Sequence, residues 1–288
     1  MAQPVQVRSD VDVDIRGKRL AVLRVFYARM LDDLQRAQRT GGVEAIHDAR
    51  VGARRLRVVL KALKADCQPI FVRSLLFDLR DIGRALAPVR DADVKRQMLA
   101  TLLRRMSADN PNEVHELRMQ LQLHCARMRH ELKHRMRSDN WSSRLQRMAT
   151  CFAEDGLLAL PHPTRRLNPE RAALEKRLRS IRKRLKNKHG TDGQRLHSLR
   201  IKVKQARYLC EFLSEMNIQV PETVLHRSKK LQTVLGKLHD EVQLQRWLTI
   251  ADMSPALRSL LQEHLQMSLD KHRRQLGELR RSSAELNL

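Results

Sequence analysis

The chain has 288 residues, enough for one large domain or two of ordinary size with a sizeable core. Lysine and arginine number 57 against 32 aspartates and glutamates, a net charge of +25 and a pI of about 11.1, so the expected partner is an anion: nucleic acid, a membrane surface or another polyanion. Aromatic residues make up only 3%, which argues against a single-strand nucleic-acid binder that stacks bases on aromatic platforms.

Residues 1–12 read as a tail. A helix is predicted over 13–39, where Leu20, Leu23, Phe26, Met30 and Leu34 recur at helical spacing, and Thr40-Gly41-Gly42 ends it. A second helix follows over 43–66 and breaks at Gln68-Pro69. The next apolar pattern, Leu75, Leu79, Ile82, Leu86 and Val89, is compatible with continuing past Pro88 with a kink, through Val94, Met98 and Leu102. Asp109-Asn110-Pro111 marks a break and a helix start. Residues 112–137 carry a long helical pattern with Val114, Leu117, Leu121 and Leu132 on one face, and Trp141 to Phe152 a shorter one. The segment 156–168 contains Pro161 and Pro163 and reads as a linker. Asn168-Pro169-Glu170 opens a basic helix to about 188, with Asn as N-cap and Pro in the first helical position. A loop at 189–193, a helix over 194–216, a long helical pattern beyond Val220-Pro221 and a last helix from Ser254-Pro255 to about 280 complete the chain, with 281–288 as a tail. No window shows β-alternation or hairpin turns, so the chain reads as all-α with at least eight helices.

Two of these helices carry the same pattern. His47, Arg50, Arg54 and Arg57 recur as His197, Arg200, Lys204 and Arg207, 150 positions later, and a β-branched residue follows the first arginine each time (Val51, Ile201). At roughly 100° per residue, these offsets fall within an arc of about 80°, so each set forms one stripe. The first stripe is bordered by Ala49, Ala53, Leu56, Leu60 and Leu63 on one side and by Val51 and Val58 on the other. The second is bordered by Leu199, Val203, Ala206, Cys210 and Leu213, and by Ile201, Tyr208 and Phe212. A solvated charged face normally lies opposite the apolar face. A cationic stripe between two apolar arcs is instead expected to line a groove.

A second pair of blocks, LAPVRD at 86–91 and LGKLHD at 235–240, stands at an offset of 149. The repeat predicts two tandem four-helix bundles, residues 13–155 and 169–280, packed about a pseudo-twofold axis with a basic central cleft. Cys67, Cys125, Cys151 and Cys210 are widely spaced, without CxxC, and indicate neither a zinc module nor a disulfide framework. The N-terminus lacks a signal-peptide apolar core and no apolar run approaches a membrane span, so a cytoplasmic protein without membrane insertion is expected.

The blocks HDARVGARRLR with ALAPVRDADV, and LHSLRIKVKQARYLCEFL with LQTVLGKLHDEV, resemble the CHAD family, the conserved histidine α-helical domain. The likeness extends over nearly the whole chain. Ala87 stands where the second copy has Gly236, Gln205 where the first has Arg55, and Glu211 where the first has Lys61. The resemblance implies two helical bundles around a basic central cavity that binds inorganic polyphosphate, and association with polyphosphate granules; it does not imply catalysis. No acidic triphosphate-tunnel region of the kind some relatives carry is seen, and a stand-alone member is expected.

Arginine offers phosphate a planar fork of donors and lysine a mobile point charge. The expected phosphate ligands are therefore Arg50, Arg54, Arg57, Lys61, Arg200, Lys204 and Arg207. Arg80, Arg84, Arg90, Lys230 and Lys237 on the second motif helices are candidates to complete the site, as are Lys176, Arg179 and Lys183, which with Lys186 repeat the stripe offsets. His47 and His197 are candidate phosphate donors, with packing at the helix start as the alternative; a metal site would need further ligands at suitable spacing. Asp91 and Asp240 are expected to pair with cations rather than perform acid–base chemistry. No paired carboxylates, P-loop, nucleophile elbow or HExxH motif is present, so no enzyme activity, cofactor or metal is expected. The rival readings are a nucleic-acid-binding helical protein and a scaffold that recruits proteins to granules; the scaffold would show an exposed apolar patch outside the cleft.

Overall fold

The structure, a computed structural model, describes residues 6–104, 111–153, 157–158, 168–186 and 193–284, with side chains from Ile15 to Arg281. Among the described residues there are ten α-helices: α1 (Gln6–Thr40), α2 (Val43–Ala62), α3 (Pro69–Ala85), α4 (Ala87–Leu103), α5 (Pro111–Met136), α6 (Asp139–Ala153), α7 (Pro169–Lys186), α8 (Gly193–Glu215), α9 (Glu222–Leu248) and α10 (Pro255–Ala284). A single 3₁₀ turn, Lys64–Asp66, follows α2. No strand occurs among these residues, and the all-α expectation holds.

The helix boundaries follow local chemistry. Gly41, at φ 63°, ends α1 in the left-handed conformation that only glycine adopts without strain, and its N–H bonds the Ala37 carbonyl at 2.9 Å. Pro69 takes the first position of α3. The kink expected at Pro88 is a break at Leu86 between α3 and α4, because proline lacks an N–H and its ring crowds the carbonyl one turn back.

Three expectations need correction. α1 begins at Gln6, so residues 6–12, expected as a tail, are helical. α10 runs to Ala284, into the expected C-terminal tail. The segment expected as a linker is fastened at one point: Leu157 and Leu158 are buried, Leu158 bridges to Cys67, and the Leu157 carbonyl accepts from the Gln68 N–H at 3.0 Å. The remainder of that linker (156 and 159–167), the loop residues 189–192, and residues 1–5 and 285–288 of the tails lie outside the described residues.

Packing divides the chain into two compact units. One gathers Met1–Ala87, Leu132–Lys176 and Gln205–Pro221; the other gathers Pro88–Glu131, Arg177–Lys204 and Glu222–Leu288. Each takes helices from both copies of the sequence repeat, because burial follows which apolar faces meet and not chain order.

In the first unit α2 packs against both α1 and α3. Leu23, Phe26, Met30, Leu56, Leu60, Leu79 and Ile82 are almost completely buried. The α1–α2 approach is close: a Cβ on Gly52 would sit 2.9 Å from Met30 Cβ and 3.3 Å from Met30 Cα. Tyr27 stacks on Phe152 at 4.4 Å, tying α1 to α6. Arg19 donates to Glu170 from Nε at 3.4 Å and from Nη2 at 3.2 and 3.0 Å, and both residues are buried. Arg144 Nε donates to Asp78 at 3.0 Å, linking α6 to α3.

In the second unit α9 packs on α10. Leu231, Leu235, Leu238 and Leu244 face a core that includes Leu261, Leu265 and Leu269. Buried Glu241 accepts from Ser268 Oγ at 2.5 Å and meets His272 Nδ1 at 2.7 Å, which fixes the register of the two helices. Ser254 caps α10, its Oγ accepting from the Leu257 N–H at 3.2 Å, and Glu113 of α5 in turn accepts from Ser254 Oγ at 3.0 Å.

Candidate anion-binding site

The first stripe lies wholly in the first unit, on α2. Ala49, Ala53, Leu56, Leu60 and Leu63 form its fully buried border, and Val51 and Val58 its half-buried one. Between them His47, Arg50, Arg54 and Arg57 are half-buried, and only Lys61, at the end of the stripe, is exposed. This is the flanking expected from the sequence. From α3, half-buried Arg80 and exposed Arg84 join the cluster.

Arg57 is its most constrained member. Burial lowers its pKa, and the charges of Arg80, Arg54 and Arg84 lower it further. Its Nε is buried without a hydrogen-bond partner. Asp81 lies 3.9 Å from both Arg80 and Arg84, but it also binds Arg144 at 3.3 Å, so this one carboxylate is spread over three guanidiniums. A desolvated cation among cations is unfavourable unless an anion joins it.

Arg207, from the second stripe, also belongs to this unit, and it is committed to a carboxylate. Glu211 meets Arg207 at 2.9 Å and Arg55 at 2.8 Å. The departure at Glu211 thus places an acidic bridge between α2 and the end of α8. Arg55 also lies over the Phe26 ring at 4.9 Å.

In the second unit His197 is exposed, and Arg200 and Lys204 are half-buried. The His197 ring is 5.5 Å from that of His239 on α9, and both line a hollow of about 240 Å³ with Arg246. Burial and the positive field of Arg200, His197, Lys204 and Arg246 push the His239 pKa down to about 3, so it is neutral near pH 7. Asp240 is raised by burial, against the lowering effect of Arg200, Lys204 and half-buried Arg90, while Asp91 raises it. Arg90 therefore joins this cluster, and Asp240 lies among cations as expected. Lys176, Arg179, Lys183, Lys230 and Lys237 are solvent-exposed.

His239 was not singled out in the sequence, although it is the repeat counterpart of Arg90, which was; the repeat itself carried the signal. Arg246 had no such marker. All four cysteines are buried, and burial raises the Cys67 and Cys210 thiols to about 12, too high to supply thiolate ligands or nucleophiles. Among the described residues no three His, Cys, Asp or Glu side chains group to hold a metal ion, and no helix is long and apolar enough to cross a membrane.

The fold is shared with solved structures. A CHAD domain from the plant Ricinus communis superposes with a TM-score of 0.70 at 23% identity, covering 94% of this chain and 90% of that one. PptA from Streptomyces chartreusis gives a TM-score of 0.72 at 15% identity, covering 92% of this chain and 98% of that one. At these identities the likeness speaks for the fold alone. No curated protein matches the chain. The CHAD domain family model matches residues 21–249, a span that contains both stripes and both second blocks. The chain belongs to the CHAD domain family.

Proposed function

We propose that this protein binds inorganic polyphosphate, without catalysis, through the arginine cluster of α2 and α3 and the mixed cluster of α8 and α9. The observation that carries the reading is Arg57, half-buried, with an unsatisfied Nε and a field made by Arg80, Arg54 and Arg84. Each phosphate of a polyphosphate chain brings negative charge and acceptor oxygens, so a stretch of polymer supplies successive counter-charges to the successive cations of each cluster. The ligand that CHAD membership implies has the same chemistry.

Holding an intact polyanion requires only donors, and donors are what the stripes offer. Asp240 sits among Arg200, Lys204 and Arg90, and Glu211 is shared by Arg55 and Arg207, so these carboxylates serve to balance charge. On this reading the protein associates with polyphosphate granules in the cell.

The reading is tested by fluorescence anisotropy with labelled long-chain polyphosphate, comparing the wild type with Arg54→Glu/Arg57→Glu at near-physiological salt. Folding of the variant is checked by circular dichroism, and released phosphate is assayed in parallel. Tight wild-type binding, a large loss in the variant and no phosphate release are expected. Equal binding by a folded variant would refute the site, and turnover by the wild type would refute the absence of catalysis.

A further inference from the structure

The outer face of α3 is unusual in a chain with few aromatics. Its inner face, Val72, Leu75, Leu79 and Ile82, is buried. Ile70 and Phe77, one heptad apart on the outer face, are 74% and 50% exposed. Between them Arg73 is exposed, and these residues line a groove of about 610 Å³ with Arg147 of α6. Arg147 is pre-positioned: it donates to buried Asp78 at 3.0 Å while 49% of its side chain stays exposed. Arg80 lies over the Phe77 ring at 5.2 Å, which holds that side chain in place.

We propose that this groove is a docking surface for an acidic amphipathic helix of a partner protein. Ile70 and Phe77 would take the apolar anchors of the incoming helix, at i and i+3/i+4/i+7 spacing. Arg73 and Arg147 would pair with carboxylates beside those anchors. Charge complementarity selects the occupant. A second copy of this chain, at +25, would bring the same guanidiniums face to face in a two-fold contact, so a self-complex is disfavoured. The proposal does not rest on the polyphosphate reading: Ile70, Arg73, Phe77 and Arg147 are distinct from the residues assigned to the phosphate chain.

The probe is a fluorescein-labelled helical peptide of about 16 residues, with leucines at i, i+3 and i+7 flanked by glutamates. Its anisotropy is followed with the full chain at about 0.3 M salt, where non-specific charge attraction is screened. Two controls accompany it: a scrambled peptide of identical composition, and one with lysine in place of glutamate. The wild type is expected to bind the acidic amphipathic peptide at least tenfold more tightly than either control. Ile70→Ser/Arg73→Ser, at exposed positions that leave the core and the Arg80–Phe77 contact intact, is expected to lose at least tenfold in affinity for the peptide and to keep polyphosphate binding. Ile250→Ser, at an 81% exposed residue of the other unit, is expected to lose nothing. Equal binding of the scrambled peptide, unchanged binding by the double variant, or no binding at all would overturn the proposal. So would self-association of the wild type in analytical ultracentrifugation that the double variant abolishes, since the occupant would then be a second copy.

Discussion

Replacing Arg57 by methionine should move stability and binding in opposite directions. Arg57 is repelled by Arg80, Arg54 and Arg84, and its half-buried guanidinium is partly desolvated. Methionine keeps most of the apolar stem and removes the charge. Each like-charge pair at a partly solvated site contributes a few tenths of a kcal/mol, so relief from three, discounted for solvent screening, amounts to about 1 kcal/mol. For a protein of this size that corresponds to a rise in Tm of roughly 2–4 °C without ligand. With polyphosphate present, a charge-assisted hydrogen bond is lost, worth about 1.5–3 kcal/mol, or roughly a 10- to 150-fold weakening. Differential scanning fluorimetry with and without polyphosphate, beside a direct titration, reads both effects. A variant that melts lower than the wild type and binds polyphosphate unchanged would refute the reasoning, because Arg57 would then be a structural cation.

Three further perturbations test the packing and the electrostatics. Gly52→Ala places a methyl group against the Met30 backbone, so overpacking of about 1–3 kcal/mol should outweigh the roughly 1 kcal/mol helix-propensity gain; Gly83→Ala, with nothing within 4 Å of the new Cβ, should keep that gain. Urea denaturation that ranked the two variants the other way would contradict the α1–α2 geometry. Glu170→Gln removes the negative charge that the buried Arg19 guanidinium meets at 3.0 Å, and should cost about 3 kcal/mol; a loss under about 0.5 kcal/mol would show that the pair is not buried as described. His239 has a folded pKa of about 3 against about 6.5 when unfolded, so its neutral form favours the folded state and its contribution is lost as pH falls from about 6.5 toward 3. A bound polyanion opposes the field that depresses this pKa, so binding should take up a proton and tighten on acidification. Calorimetry in buffers of different ionisation enthalpy would detect that uptake, and its absence in wild type would place the ligand away from His239.

Much of the helical structure was legible because its cause is local. Leu20, Leu23, Phe26, Met30 and Leu34 on α1, and Val114, Leu117, Leu121 and Leu132 on α5, were expected on apolar faces from spacing alone, and all are buried. The flanking of the first stripe was legible for the same reason. In the second stripe Tyr208 and Phe212 are buried, but Ile201 is 40% exposed, since a helix position shows its residue type and not what packs over it. The grouping of helices was not legible. α8 gives its first half to one unit and its second to the other, so Glu211, one turn beyond Arg207, meets Arg55 of α2 in the first unit while His197 belongs to the second. Leu157 and Leu158 were hidden for another reason: a two-residue bridge has no periodicity, and the nearby prolines made the segment look free.

The most direct test of polyphosphate binding is a competition titration. Labelled long-chain polyphosphate is bound to the wild type and to Arg54→Glu/Lys204→Glu, then challenged with unlabelled polyphosphate, duplex DNA, single-stranded RNA and short phosphates at matched phosphate concentration and near-physiological salt. The expected result is that polyphosphate is displaced only by excess unlabelled polyphosphate, and that the double variant fails to bind it. If duplex DNA competes equally and the folded variant still binds, the stripes are not the site, and the net positive charge acts as a general nucleic-acid surface.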